Sequence, residues 1–223
     1  MTTKLFFQAI IKFLLGVVLL GALLFVPAGT LHFWQAWLFL GLLFVPMFFA
    51  GVVMMVKSPE LLKKRLNAKE EEKEQKAVVA LSGVMFLAAF LLAGLNARFG
   101  WLHFPLWAVW VGAGVFLLAY GMYAEVMREN AYLSRTIEVQ ESQTVVDTGL
   151  YGVVRHPMYA ATLFLFLSMG VILDSPISLA ILLFYIPIIA ARMKNEEKVL
   201  EEGLPGYREY KTKVKYKVIP FIW

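Results

Sequence analysis

Two short groups of ionisable residues near the carboxyl end have the types and spacing for chemistry. Arg155 and His156 directly precede Pro157 and an apolar run. Because proline favours the first turn of a helix, this placement predicts a helix N-terminus, where the dipole and free backbone N–H groups favour an anion. Arg192 and Glu196 are four residues apart and share one helical face. If the two groups meet, the cavity between them suits a zwitterionic amino-acid group.

Each group also has a simpler interpretation. In the simpler interpretation of the first group, Arg155 reaches lipid headgroups and His156 caps a helix. In that of the second group, Arg192 and Glu196 form an exposed salt bridge of a few tenths of a kcal/mol. Glu197, one residue further on, is expected to face solvent. The lysine-rich tail, with Val214, Tyr216 and Val218 between its lysines, suggests a segment lying on an anionic membrane surface.

The composition excludes an ordinary soluble domain. Of the 223 residues, 60% are hydrophobic and only 17% are charged, and the mean hydropathy is +0.70. The chain has no cysteine, which excludes disulfides and thiolate metal sites. Its three histidines are scattered along the sequence, so no metal centre is expected.

The apolar segments predict an all-α, polytopic membrane protein. A spanning helix needs about 20 apolar residues. Four stretches meet that length, and two shorter runs separated by Asp174-Ser175-Pro176 predict a hairpin of short membrane helices over residues 157–191. The six segments are Leu5–Val26, Trp34–Val56, Ala77–Ala97, Leu106–Val126, Met158–Leu173 and Ile177–Ala191.

Loop charges predict the orientation. Seven Lys and Arg residues lie in the loop 57–76 and eight follow from Arg192 onward, whereas residues 27–33 carry none. The positive-inside rule then places both termini in the cytoplasm. We divide the chain into an N-terminal transmembrane scaffold, residues 1–130, and a cofactor-binding and catalytic region, residues 131–223.

Four elements of the second region form an ordered set. They are Gly-x-Tyr-x-x-x-Arg-His-Pro-x-Tyr at 149–159, Glu-Glu-x-x-Leu at 196–200, Tyr-x-x-Tyr at 207–210, and a proline at 220. This set, with a membrane hairpin between its halves, resembles the isoprenylcysteine carboxyl methyltransferase family of integral membrane methyltransferases. The resemblance covers residues 135–223. Leu150 departs from a common proline, and Ala161 from a glycine.

The resemblance implies S-adenosylmethionine as the cofactor, S-adenosylhomocysteine as its product, and methyl transfer at the cytoplasmic face without a metal. It implies Arg192 as a substrate-side arginine with a catalytic role. If the acceptor is a thiol or amine, a base is required, and His156 is one candidate. The implied cofactor contacts are Gln140, Gln143, Thr144, Val145, Val146, Tyr151, Arg155, His156, Pro157, Met158, Tyr159 and Glu196.

The expected partners are the lipid bilayer and a lipophilic or lipidated acceptor, which is left open between a carboxylate, a thiol, an amine and a phenol. No nucleic acid is expected, and the oligomeric state is left open. Two alternatives remain. One is a sterol-reductase-like, NADPH-dependent membrane oxidoreductase, although the chain has no G-x-G-x-x-G motif. The other is a non-enzymatic membrane subunit.

Overall fold

The computed structural model describes residues 3–66, 73–130, 132–133 and 139–223, and this part of the chain is helical and contains no strand. The all-helical expectation is therefore confirmed for these residues. A 3₁₀ helix spans Gly149–Gly152. The α-helices are α1 Thr3–Ala28, α2 Trp34–Lys57, α3 Pro59–Leu66, α4 Lys73–Phe99, α5 Leu106–Glu129, α6 Pro157–Ile172, α7 Pro176–Leu182, α8 Tyr185–Gly203 and α9 Tyr207–Lys213.

Five helical stretches of the described residues are long and apolar enough to cross a membrane. Many of their large apolar side chains point outward, for example Val26 at 74% and Leu118 at 77% exposure. Such surface is stable when lipid covers it, since lipid tails are as apolar as the side chains themselves. The stretches are Leu5–Ala28, Trp34–Lys57, Lys76–Phe99, Leu106–Glu129 and Pro176–Gly203.

The two short apolar runs form a hairpin whose second arm is divided. Its first arm, α6, has 16 residues and is about 24 Å long, short for a bilayer core of about 30 Å. The second run is not one helix over 177–191, because α7 ends at Leu182 and α8 begins at Tyr185. Helix α8 continues to Gly203 through good helix formers and ends before Pro205. The count of six membrane segments and the position of the termini stay predictions.

The turn between the arms is fixed by polar contacts to neighbouring helices. Asp174 adopts a φ of 53°, and the Ser175 hydroxyl accepts the N–H of Ser178 at the start of α7. The Asp174 carboxylate accepts a hydrogen bond from the N–H of Phe104 at 2.6 Å. The backbone carbonyl of Asp174 accepts one from the side-chain amide of the buried Asn96 at 3.0 Å. These bonds hold the turn against the segment that joins α4 to α5.

A close backbone approach brings α6 and α7 together at Gly170. A Cβ at this position would lie 2.7 Å from the Cα and the backbone nitrogen of Leu179. Backbone atoms cannot yield as a flexible side chain can, so only glycine allows this packing. By contrast, a Cβ at Gly114 in α5 would meet nothing within 4 Å.

We expect Gly170→Ala to destabilise the protein by about 1–3 kcal/mol through overpacking. Gly114→Ala is the matched control, and its effect should be neutral or slightly stabilising because alanine is the better helix former. Thermal unfolding of both variants in detergent measures the difference. Equal melting temperatures would contradict the close approach of α6 and α7.

Candidate functional site

A cavity of about 500 Å³ lies between α4, α5, α6, α8, α9 and the loop before the 3₁₀ helix. Its volume falls within the ~300–1,000 Å³ of small-molecule and cofactor sites. All the residues that the resemblance implies, except Gln140, line this cavity. They are Gln143, Thr144, Val145, Val146, Tyr151, Arg155, His156, Pro157, Met158, Tyr159, Arg192 and Glu196.

One tyrosine joins the two charged residues of α8. The Tyr159 hydroxyl donates to Glu196 Oε2 at 2.6 Å and accepts from Arg192 Nε at 2.9 Å. Tyr159 lies in the first turn of α6, so the bridge also fixes the distance between α6 and α8. The wall thus presents a cation and an anion side by side, held by hydrogen bonds to Tyr159, and both residues are half-buried rather than exposed.

The cavity has an aromatic inner end, deep between the helices. The Phe166 ring lies edge-on to Phe86 at 4.7 Å and to Tyr185 at 4.6 Å. The Tyr185 hydroxyl is within 2.9 Å of Thr162 Oγ1, which satisfies the polar atom there. This end suits an apolar group.

The sequence interpretation missed this inner end. Helices α4 and α5, together with the residue that follows α5, contribute Val78, Val79, Ser82, Phe86, Tyr123 and Asn130 to the cavity wall. Ser82, Tyr123 and Asn130 are polar residues in or beside the apolar runs and are the signal that could have marked this wall. Val78, Val79 and Phe86 carry no such signal, because their type is the same as that of lipid-facing neighbours. The N-terminal half therefore forms part of the cavity as well as supporting it.

Glu197 is buried at 5% exposure, so the expectation that it faces solvent is wrong. Its Oε1 accepts from Arg155 Nε at 2.9 Å and lies 3.2 Å from His156 Nε2. Its Oε2 lies 3.2 Å from Lys217 Nζ and 3.4 Å from Lys211 Nζ. A buried carboxylate is stable only when charged or hydrogen-bonding partners surround it, and these four provide them.

The tail folds back onto the start of α6. The N–H groups of Arg155 and His156 donate to the carbonyls of Tyr216 and Lys217 at 2.9 and 2.8 Å. The Arg155 guanidinium also donates to the carbonyls of Val214 and Lys215, at 2.7 and 2.8 Å. The N–H groups of these two residues are therefore occupied by the tail and are not free to bind an anion.

The same contacts correct the interpretation of the tail. Val214 and Val218 are buried at 4% and 2% exposure, in contact with the rest of the protein. The alternation of lysine with apolar residues reflects packing on the protein. A membrane surface is not needed to explain it.

The glycine that opens the Gly-x-Tyr motif has no alternative. Gly149 has a φ of +50°, and a Cβ there would lie 1.4 Å from Glu129 Oε1 at the end of α5. Glu129 Oε2 accepts the N–H of Leu150 at 3.1 Å. Leu150, which departs from the family's common proline, thus supplies an N–H that proline lacks.

Tyr151 is held from two sides. Asn130 Nδ2 donates to the Tyr151 hydroxyl at 2.9 Å, and the Tyr210 hydroxyl donates to the Tyr151 carbonyl at 2.7 Å. Burial raises the pKa of Tyr210, so its hydroxyl stays protonated and donates.

An ion pair joins α9 to the loop before the 3₁₀ helix. The Lys213 ammonium, 2.8 Å from Asp147, holds the pKa of that carboxyl below its usual range.

Gln140 shapes the loop rather than the cavity wall. Its side-chain amide donates to the carbonyl of Tyr132 at 2.6 Å, and its N–H donates to Gln143 Oε1 at 2.8 Å. These bonds position Gln143, which does line the cavity. Gln140 therefore supports the loop from outside the cavity wall.

Because Glu197 neutralises buried cations, we expect Glu197→Gln to destabilise the protein by about 3–5 kcal/mol and to loosen the tail. Glu209→Gln, at an exposed position of α9, is the control and should have little effect. Thermal unfolding and limited proteolysis of the tail measure both effects. If Glu197→Gln melts like the wild type with a protected tail, the carboxylate does not hold these elements together.

Two comparisons with known proteins found similarity to this chain. A family model described as phospholipid methyltransferase matches residues 107–205. A solved structure of the eukaryotic intramembrane Ras methyltransferase, isoprenylcysteine carboxyl methyltransferase, has a similar fold, with a TM-score of 0.55 and 19% sequence identity. The similarity covers 92% of this chain and 74% of that chain. No curated protein matches the sequence.

The matched residues include the Gly149–Tyr159 motif and the pair Arg192 and Glu196, so the sequence match covers much of the cavity wall. The fold likeness extends over most of the chain. The chain is therefore similar to the phospholipid methyltransferase family model over residues 107–205, and its fold is similar to that of isoprenylcysteine carboxyl methyltransferase.

Proposed function

We propose that the protein transfers a methyl group from S-adenosylmethionine to a lipophilic or membrane-associated acceptor. The observation that carries the proposal is the bridge of Arg192, Tyr159 and Glu196 in the wall of a cavity with an aromatic inner end. The charged residues Arg192 and Glu196 suit a polar ligand, and the aromatic inner end suits an apolar one. The family match favours this activity over the NADPH-dependent oxidoreductase and the non-enzymatic subunit.

The residues present fit the cofactor. Glu196 offers a carboxylate to the ammonium group of the cofactor, and Arg192 beside it offers a guanidinium to the acceptor. Tyrosine faces attract a sulfonium through the ring quadrupole, and Tyr151 and Tyr159 both line the cavity. Gln143, Thr144, Val145 and Val146 close the loop side, with Arg155, His156, Pro157 and Met158 at the start of the hairpin.

When bound, S-adenosylmethionine supplies a methyl group on a positively charged sulfur, activated for attack. The chain then has to hold the acceptor in line with that methyl group, and positioning lowers the barrier by several kcal/mol. In our proposal Arg192 orients the acceptor, and the bond to Tyr159 fixes the guanidinium. The helices exclude water, which strengthens the remaining electrostatic interactions.

The role of a base depends on the acceptor. A carboxylate needs none, and Arg192 would clamp it through two parallel hydrogen bonds. A thiol, amine or phenol has to lose a proton, and His156 is our candidate for accepting it. An imidazole that donates its Nε2–H to Glu197, 3.2 Å away, carries its lone pair on Nδ1.

We further propose that the cavity opens toward the cytoplasm and that both termini lie there, as the positive-inside rule indicates. In a prokaryote the host would be the plasma membrane. The partners would then be the bilayer and a lipophilic or lipidated acceptor, with no nucleic acid. Residues 131–223 would carry most of the cofactor contacts, and residues 1–130 the scaffold and part of the inner end of the cavity.

Incubation with methyl-labelled S-adenosylmethionine tests this function. Purified protein in lipid nanodiscs is mixed with a native lipid extract, and mass spectrometry identifies the labelled product. We expect label in a lipid-soluble molecule, and its chemistry identifies the acceptor. Absence of both label transfer and S-adenosylhomocysteine binding would overturn the proposal.

Glu196→Gln should weaken S-adenosylhomocysteine binding by roughly 10- to 100-fold, because it removes a charged hydrogen-bond partner worth about 1.5–3 kcal/mol. Glu202→Gln, exposed on the same helix, is the control and should bind as the wild type does. Calorimetric titration of the detergent-solubilised variants measures the dissociation constants. Equal affinities for the two variants would remove Glu196 from the proposed site.

A further inference from the structure

The Tyr207 hydroxyl stands out among the buried polar atoms of the described residues. It is the one side-chain oxygen or nitrogen in this part of the chain that is buried without a hydrogen-bond partner. The residue is 4% exposed, so bulk water does not reach it. Buried polar groups in native proteins are almost always bonded, and an exception calls for an explanation such as a ligand.

The position of Tyr207 supplies that explanation. Tyr207 lines the cavity at the first residue of α9, just after Gly206 turns the chain with a φ of +84°. Its side chain packs in a small apolar cluster with Leu204, Tyr210 and Val214, which fixes its ring. The hydroxyl therefore lacks a partner in the protein while its residue forms part of the cavity wall.

The hydroxyl is set up as a donor. Burial raises the pKa of Tyr207 well above its usual value, and the negative charges of Glu197 and Glu196 raise it further. Tyr207 stays protonated throughout the physiological range. A matching ligand presents an acceptor, such as a carboxylate oxygen, a ribose hydroxyl or an adenine ring nitrogen.

We propose that Tyr207 binds the cofactor by donating a hydrogen bond from its hydroxyl to S-adenosylmethionine. This inference rests on the proposed function. Tyr207 belongs to the loop side of the cavity, since Val145 packs against its cluster. The aromatic inner end lies at the other end of α8, a helix of 19 residues and about 28 Å. The acceptor belongs at that apolar end, so the contact of Tyr207 is with the cofactor.

The test compares Tyr207→Phe with Tyr210→Phe, using S-adenosylhomocysteine as the probe. Each variant removes one hydroxyl from the same cluster. Tyr207→Phe breaks no bond within the protein, so its melting temperature without ligand should equal that of the wild type or exceed it. Its dissociation constant for the probe should rise by roughly 5- to 20-fold. Tyr210→Phe loses its bond to the Tyr151 carbonyl and should melt at a lower temperature.

Three results overturn the inference. If Tyr207→Phe binds the probe within twofold of the wild type, the hydroxyl does not contact the cofactor. If Tyr207→Phe without ligand loses as much stability as Tyr210→Phe, the hydroxyl has a partner inside the protein. If the wild-type protein itself does not bind the probe, the proposed function fails and the inference fails with it, which separates that case from the other two.

Discussion

The buried carboxylate of Glu197 is the interaction on which the loop side of the cavity depends. It lies in contact with Arg155 and His156 before α6, Lys211 in α9, and Lys217 in the tail. An isolated carboxylate out of water costs several kcal/mol, so it is tolerated only when its partners are in place. The three chain segments therefore assemble around one charge. Arg155 extends the arrangement, because its other bonds hold the tail backbone.

Neighbouring glutamates of α8 serve two different surfaces for a geometric reason. Successive residues of a helix point about 100° apart. Glu196 thus faces Tyr159 and the cavity, whereas Glu197 faces the tail. This division leaves Arg155 neutralised within the fold and leaves Arg192, bonded to Tyr159, as the cation of the proposed chemistry. The pair Arg155 and Glu197 holds the fold together, and the pair Arg192 and Glu196 faces the ligand. Because the two pairs are separate, we expect the cavity to keep its shape when a charged ligand enters.

The sequence predicted the helices well because apolar length is a strong signal. The run 106–126 became Leu106–Glu129, and 158–173 became Pro157–Ile172. The spacing of four also indicated that Arg192 and Glu196 share a face, and the resemblance indicated that Tyr159 lies at the same cavity. Spacing says nothing about how many neighbours surround a helix. Glu197 was assigned to solvent because the returning tail, which covers that face, is not visible in local patterns.

The same limit explains the tail and α4. Alternating lysine and valine fits a membrane surface and a strand-like segment packed on protein equally well, and only the pairing of Tyr216 and Lys217 with the start of α6 distinguishes them. On α4, Phe86 lines the cavity while Leu81 and Val84 are exposed, although the sequence gives all three the same apolar character. Which face meets the cavity depends on tertiary packing.

The departure at Leu150 is a case in which sequence and structure explain each other. Gly149 leaves no room for a side chain beside Glu129, and the Glu129 carboxylate then accepts the N–H of Leu150. A proline at this position would leave that carboxylate without this donor. Since Asn130, the next residue, holds the Tyr151 hydroxyl, the end of α5 fixes the Gly-x-Tyr segment by two adjacent side chains. The N-terminal half thus positions the proposed cofactor contacts directly, and a change at the end of α5 would act on the cavity without touching its motifs.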